Sequence, residues 1–184
     1  EHKVIGVSVV ATEVTEHVIS EKKLLESEYR FEDLIRQSDY STAIYRSEDL
    51  YIELANDKML RTWGKDASVI GRKLEDALPE LEGQPFIGLL KDIFKTGKTY
   101  SATEDRADLV VDGKLQTFYY NFSYKPLKNS NGEVYAILNM AVNVTDLVKA
   151  RKEIQESERK YRDLADSIPQ FVWTCDRHGK ITYM

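Results

Sequence analysis

The sequence predicts an α+β fold: a five-stranded antiparallel sheet with helices gathered on one face, flanked by long amphipathic linker helices. Three observations predict it. The hydrophobic period changes from helical to two after Gly97, Asp112-Gly113 and Asn131-Gly132 separate the three alternating runs that follow, and a strand running into a charged helix occurs twice.

The chain of 184 residues, 42% hydrophobic and 10% aromatic, has material for one core of about 100 to 150 residues plus connectors. Its net charge of -5 comes from interspersed residues of both signs. No basic face for nucleic acid and no polybasic run for a membrane surface is therefore expected. A single cysteine, Cys175, excludes an internal disulfide framework and fits a reducing, cytoplasmic compartment. No apolar run approaches the roughly 18 residues of a membrane helix, and the basic-then-apolar pattern of a signal peptide is missing.

The first element, residues 1–15, reads as a strand ("VIGVSVVATEV") feeding a helix over 16–40. The same passage returns as "VYAILNMAVNV" and a helix over 147–168. Placing Val4 to Ser38 on Val134 to Ile168 without gaps gives eleven identities, among them Val14, Thr15, Glu26, Ser27, Asp33 and Leu34. Thr15 and Thr145 stand where a helix N-cap is wanted, with Glu16 and Asp146 against the positive end of the dipole. On the second helix Leu147, Ile154, Tyr161 and Ile168 recur every seventh residue; the first keeps Leu24, Phe31 and Leu34. A narrow apolar stripe on a charged helix reads either as a dimer-forming coiled coil or as a solvated linker.

Between them lies the domain, 41–146. "STAIYR" and "LYIEL" are short strands around a polar turn. Asn56 caps a short helix with Met59, Leu60 and Trp63 on one face and Gly64 at its end. Gly71 and Pro79 allow only helical turns next. Pro85 opens the principal helix, with Phe86, Leu90, Ile93 and Phe94 on one face and Gly97 past its end. Three strands follow, and in the middle one Phe118, Tyr120, Phe122 and Tyr124 share a face. Residues 169–184 repeat the opening of the domain, "TCDRHGKITYM" opposite "YRSEDLYIELA", and are expected to begin a following copy.

This order of elements resembles a PAS domain with its PAC tail. Asn56 stands where the family often has Asn after its second strand, and "GEVYAILNMAVNVTD" is similar to the Asp-Ile-Thr motif that closes the fold, with Asn143 and Glu13 in place of the Asp. The resemblance implies 1–15 as the last strand of a preceding repeat, and the whole as tandem repeats from the input region of a bacterial two-component sensor histidine kinase. It also implies a sensory and relay role, with Asn143, Thr145, Asp146, Leu147, Ile154 and Tyr161 carrying the signal. The implied partners are a second copy through the linker helices, the neighbouring PAS and kinase domains, and an unknown small molecule.

No catalytic motif is legible. His17 lacks the surroundings of a phosphoacceptor, and there is no His-Glu-x-x-His, no paired Cys and no Gly-x-Ser-x-Gly. Metal ligation is not supported, and the Glu104-Asp105 pair is expected to be solvated. Of the family's cofactors, haem is not supported because the principal helix has no His. Flavin is not supported because 41–146 holds no Cys; Cys175 is expected to be a small buried hydrophobe. Trp63, Phe86, Leu90, Phe94, Tyr120 and Phe122 are the candidate walls of a ligand cavity, or else a filled core, with a Tyr hydroxyl, Asn121 or Asn139 to orient a ligand. A purely structural dimerisation spacer and a small α+β enzyme using the same cavity are the alternatives. The two terminal strands, lacking partners in this chain, are expected to pair between chains.

Overall fold

Alternating side chains need a second layer on the face they make apolar, and that requirement organises the domain. The computed structural model describes residues 18–23, 25–27, 29–167 and 174–183. It divides into two units, one ending at Asn143 and one beginning at Val144.

In the first unit, residues 18–23, 25–27 and 29–36 are helical. The domain proper follows as β1 (Ser41–Arg46), β2 (Tyr51–Ala55), α1 (Asp57–Trp63), α2 (Leu74–Ala77), α3 (Phe86–Thr96), β3 (Tyr100–Val111), β4 (Lys114–Lys128) and β5 (Val134–Asn143). Two 3-10 turns, Ala67–Val69 and Pro79–Leu81, flank α2. All neighbours are antiparallel in the order β2-β1-β5-β4-β3. The expected five-stranded α+β fold is therefore present, with the first strand inserted between the second and the last.

The sheet separates two apolar clusters. On one face Ala43, Tyr45, Ile137 and Ala141 pack with Met59, Trp63, Phe86, Leu90 and Ile93 of the helices. On the other, Ile44 and Ala136 pack with Ile35, the one buried residue described in the N-terminal helix. Alternation along β1 and β5 sends consecutive residues to opposite clusters, as period two demands.

Asn56 caps α1 through its side chain, and Gly64 ends it at φ 63. A side chain at Gly64 would also meet a neighbour, because a Cβ there lies 2.7 Å from the Val110 carbonyl oxygen. Helix end and β3 thus touch backbone to backbone.

Both outer strands are covered over part of their length. Along β2, the Ile52 N–H donates to the Arg72 carbonyl, while the Gly71 and Leu74 N–H groups donate to the Ile52 and Leu50 carbonyls. Along β3, the Gln84 side chain brackets Asp108, its Nε2 donating to the Asp108 carbonyl at 2.8 Å and its Oε1 accepting the Asp108 N–H at 3.0 Å. Glu80 accepts the Val110 N–H and pairs with Lys65 at 3.2 Å.

The β3–β4 hairpin is as expected, with Asp112 at φ 52 and Gly113 at φ 71 closing a two-residue turn. The β4–β5 loop differs from the expected Asn-Gly turn. Only Gly132 has positive φ, and Asn129 organises a longer loop by accepting the Asn131 and Glu133 N–H groups on its Oδ1.

The second unit opens with α4 (Thr145–Ser167). The Val144 carbonyl accepts the first helical bond, from the Val148 N–H, so Thr145 is the first helical residue and not the cap expected for it. Leu147, Ile154, Tyr161 and Leu164 are exposed. A short hairpin follows, β6 (Thr174–Cys175) with β7 (Ile181–Tyr183). Cys175 is exposed, against expectation: two strands alone supply no second layer to bury it. The expected pairing of the N-terminal strand, and Thr15, Leu24 and Ile168, lie outside the described residues. Among those residues no helix is long and apolar enough to cross a membrane.

Candidate functional site

The helical layer closes over the sheet incompletely. Between them is a cavity of about 60 Å³, room for a handful of water-sized positions at roughly 10–15 Å³ each. Its helical wall is Met59, Thr62 and Trp63 of α1 with Leu74, Leu81 and Phe86; its floor is Tyr45, Asp105, Ala107, Leu109, Tyr120, Phe122, Tyr124, Asn139 and Ala141 of the sheet. Four of the six candidate walls, Trp63, Phe86, Tyr120 and Phe122, are brought together here. Leu90 and Phe94 lie outside the lining: Leu90 is wholly buried in the core and Phe94 is partly buried against it.

The rings pack on one another. Phe86 meets Phe122 edge to face with centroids 5.8 Å apart, Phe122 meets Tyr124 at 4.9 Å, and Tyr45 stacks on Trp63 at 6.5 Å. Such contacts make the walls rigid as well as apolar.

Besides Thr62, whose hydroxyl is hydrogen-bonded to that of Ser41 at 2.9 Å, and the tyrosine hydroxyls, two polar side chains interrupt them. Asn139 faces the cavity, whereas Asn121 is exposed and accepts the Glu104 N–H at 2.8 Å. The Asn139 Nδ2 donates to the Tyr45 hydroxyl at 2.9 Å. Its Oδ1 is buried with no partner. A buried carbonyl oxygen without a donor is costly, on the order of 1–3 kcal/mol.

The second is Asp105, which corrects the reading of Glu104-Asp105 as solvated. In β3, Ala102 pairs with Phe122 and Asp105 with Tyr120, so one extra residue is inserted. Glu104 adopts φ 54 at this bulge. The bulge shifts the inward positions from Tyr100 and Ala102 to Asp105, Ala107 and Leu109 and turns the carboxylate to the cavity. Sequence reasoning missed it, although the change of apolar parity between Ala102 and Ala107 was the available signal.

Burial disfavours the charged form of the tyrosines here. The hydroxyls of Tyr45 and Tyr124 are pushed well above the usual tyrosine value, and that of Tyr120 up to about 12. The tyrosines are neutral hydrogen-bonding groups at any physiological pH. Among the described residues no group of His, Cys, Asp and Glu is placed to hold a metal.

Residues 36–149 match the family described as PAS fold. The chain belongs to the PAS family. An RNA-binding Light-Oxygen-Voltage receptor is similar to this PAS chain over 78% of it and 39% of the receptor, with TM-score 0.57 and 16% identity. A VqmA dimer from Vibrio cholerae is similar over 62% of this chain and 50% of its own, with TM-score 0.52 and 18% identity. The PAS domain of a protein from Colwellia psychrerythraea gives TM-score 0.51 and 8% identity over 67% of this chain and 98% of its own. These likenesses show the fold alone. Among curated proteins, the uncharacterized protein y4lL of Sinorhizobium fredii is 25% identical over 139 residues, 75% of this chain. The chain spans 17% of that relative's length.

The expected relay positions fall at the end of the PAS sheet and beyond. Asn143 is the last residue of β5, opposite Tyr120. Thr145 and Asp146 open α4, and Leu147, Ile154 and Tyr161 lie exposed along it.

Proposed function

We propose that this chain is a sensory and relay module from the input region of a cytoplasmic two-component sensor histidine kinase. In this reading a small molecule or a partner alters the PAS sheet, and the change passes from β5 through Asn143, Thr145 and Asp146 into α4. That helix biases a dimeric output domain of the same protein. The chain is no catalyst itself; its parent is the kinase, and residues 1–15 and 169–184 belong to neighbouring PAS/PAC repeats.

The observation that carries the reading is the cavity with its unpartnered Asn139 Oδ1. A core packed only for stability would place an apolar side chain where Asn139 faces the cavity beside Tyr45. The stripe of Leu147, Ile154, Tyr161 and Leu164, exposed along a strongly charged helix, supports a second copy as the partner of α4. The same stripe also supports a plainer alternative, a dimerisation spacer that senses nothing.

The experiment is autophosphorylation of the full-length parent. Ile154→Asp with Tyr161→Asp breaks the stripe and is expected to abolish regulated output, while Trp63→Ala opens the cavity and is expected to change signal dependence with the dimer intact. Output insensitive to both variants rejects the relay; sensitivity to the stripe alone favours the spacer.

A further inference from the structure

The cavity's polar groups specify what can enter it, an inference that rests on the sensory reading just given. Among the described residues that line it there is no Lys, Arg or His. The only formal charge among them is the Asp105 carboxylate, half-buried and accepting the adjacent Arg106 N–H at 3.0 Å. An anion entering this space would meet that charge with nothing to offset it, across a medium less screening than water.

The second group is Asn139. It is 6% exposed, its Nδ2 gives one of its two hydrogens to the Tyr45 hydroxyl, and its Oδ1 has no partner. An amide oxygen is neutral and asks for a donor, not for a full charge. The two acceptors stand on different strands and at different levels, Asp105 opposite Tyr120 and Asn139 opposite Tyr124. The Tyr124 hydroxyl, which lines the same space, is held neutral by burial first and then by Tyr45, Asp105 and Tyr100.

We propose that the cavity binds a small aliphatic amino alcohol or similar base, its ammonium group against Asp105 and a neutral O–H or N–H donor on Asn139 Oδ1. The aromatic walls suit both parts of such a molecule: they cover the carbon chain, and ring faces attract a cation. The volume of about 60 Å³ sets the size at about five or six non-hydrogen atoms. The bulge at Glu104 is the device that makes the site, since without the inserted residue Asp105 would face outward.

The test is a titration of the isotope-labelled chain with 4-aminobutan-1-ol, followed by the shifts of the Trp63 indole and the Asn139 side-chain amide. n-Butylamine lacks the second donor and 4-hydroxybutyrate has the opposite charge. The amino alcohol is expected to saturate both signals and to bind about tenfold tighter than n-butylamine, with the hydroxy acid not binding. Asp105→Asn is expected to weaken the amino alcohol about tenfold or more, and Asp112→Asn, an exposed hairpin carboxylate, to leave it unchanged. Asn139→Leu should remove the advantage over n-butylamine, with folding checked by circular dichroism for each variant. Binding of the hydroxy acid instead, or equal loss in Asp105→Asn and Asp112→Asn, overturns the amine assignment while leaving a ligand pocket standing. Silence from all three compounds overturns the assignment; the sensory reading falls separately, if Trp63→Ala leaves the signal dependence of the parent unchanged.

Discussion

Asn56 caps Met59: its Oδ1 accepts the Met59 N–H at 2.9 Å and, on the same oxygen, the Thr42 N–H at 3.0 Å. Its Nδ2 donates to the carbonyls of Ile35 and Tyr40, at 3.1 and 2.8 Å. Every hydrogen-bonding position of one buried amide is used, and four segments meet there: the N-terminal helix, the entry to β1, β1 itself and α1.

Asn56→Ala leaves two buried N–H groups and two carbonyls without that partner. A loss of about 2–4 kcal/mol is expected in urea unfolding. Asn56→Asp keeps the acceptor but sets a buried carboxylate oxygen against the Ile35 and Tyr40 carbonyls, so its loss should equal or exceed that of alanine. A clearly smaller loss would assign the stability to the acceptor side.

Gly64 and Gly113 share positive φ, 63 and 71, but differ in surroundings. A Cβ at Gly113 meets nothing within 4 Å, whereas at Gly64 it meets Val110 oxygen at 2.7 Å. Gly113→Ala should cost about 1 kcal/mol, the conformational part alone. Gly64→Ala should cost at least about 2 kcal/mol, because β3 has to move. Thermal unfolding of the two variants side by side measures the difference.

Alkaline pH should destabilise the fold through its tyrosines. In the unfolded chain they release protons near the ordinary value of 10.0, while Tyr120 holds its proton to about 12 and Tyr45 and Tyr124 are raised too. Stability from these groups is therefore complete below pH about 10 and falls as pH rises from there through the native values. Tyrosinate absorbance should show the exposed tyrosines titrating first and the buried set appearing only together with loss of structure. Early titration of all eleven tyrosines in a still-folded chain would contradict the packing.

Asn121 anchors the β3 bulge at the Glu104 N–H. Asn121→Ala removes the acceptor for the Glu104 N–H and should cost about 1–2 kcal/mol. It should also speed exchange of the Glu104 amide, while Asn121→Asp, which keeps an acceptor oxygen, should behave close to the parent.

Much of this domain was legible because local signals agreed with the global pattern. Asn56 before Met59, Leu60 and Trp63, Gly64 after them, and the even-numbered aromatics of β4 each pointed the same way. The bulge was not legible, since Glu104 and Asp105 are unremarkable charges until the partner strand counts one residue fewer. The inward turn of Asn139 was equally hidden, because β5 is apolar on both faces and alternation has no contrast to read there. Leu90 and Phe94 were placed on the right helix face, but a face does not say which part of it borders a void.

The covered edges of the sheet bear on how such a domain can be crowded. Gln84 and Glu80 occupy β3 at Asp108 and Val110, and residues 71–74 occupy β2 at Leu50 and Ile52. Two copies held close, at the millimolar local concentrations that a short tether produces, find no free ladder at those positions to share. The ladder there is already taken within each copy, so at those positions proximity alone does not invite exchange of strands.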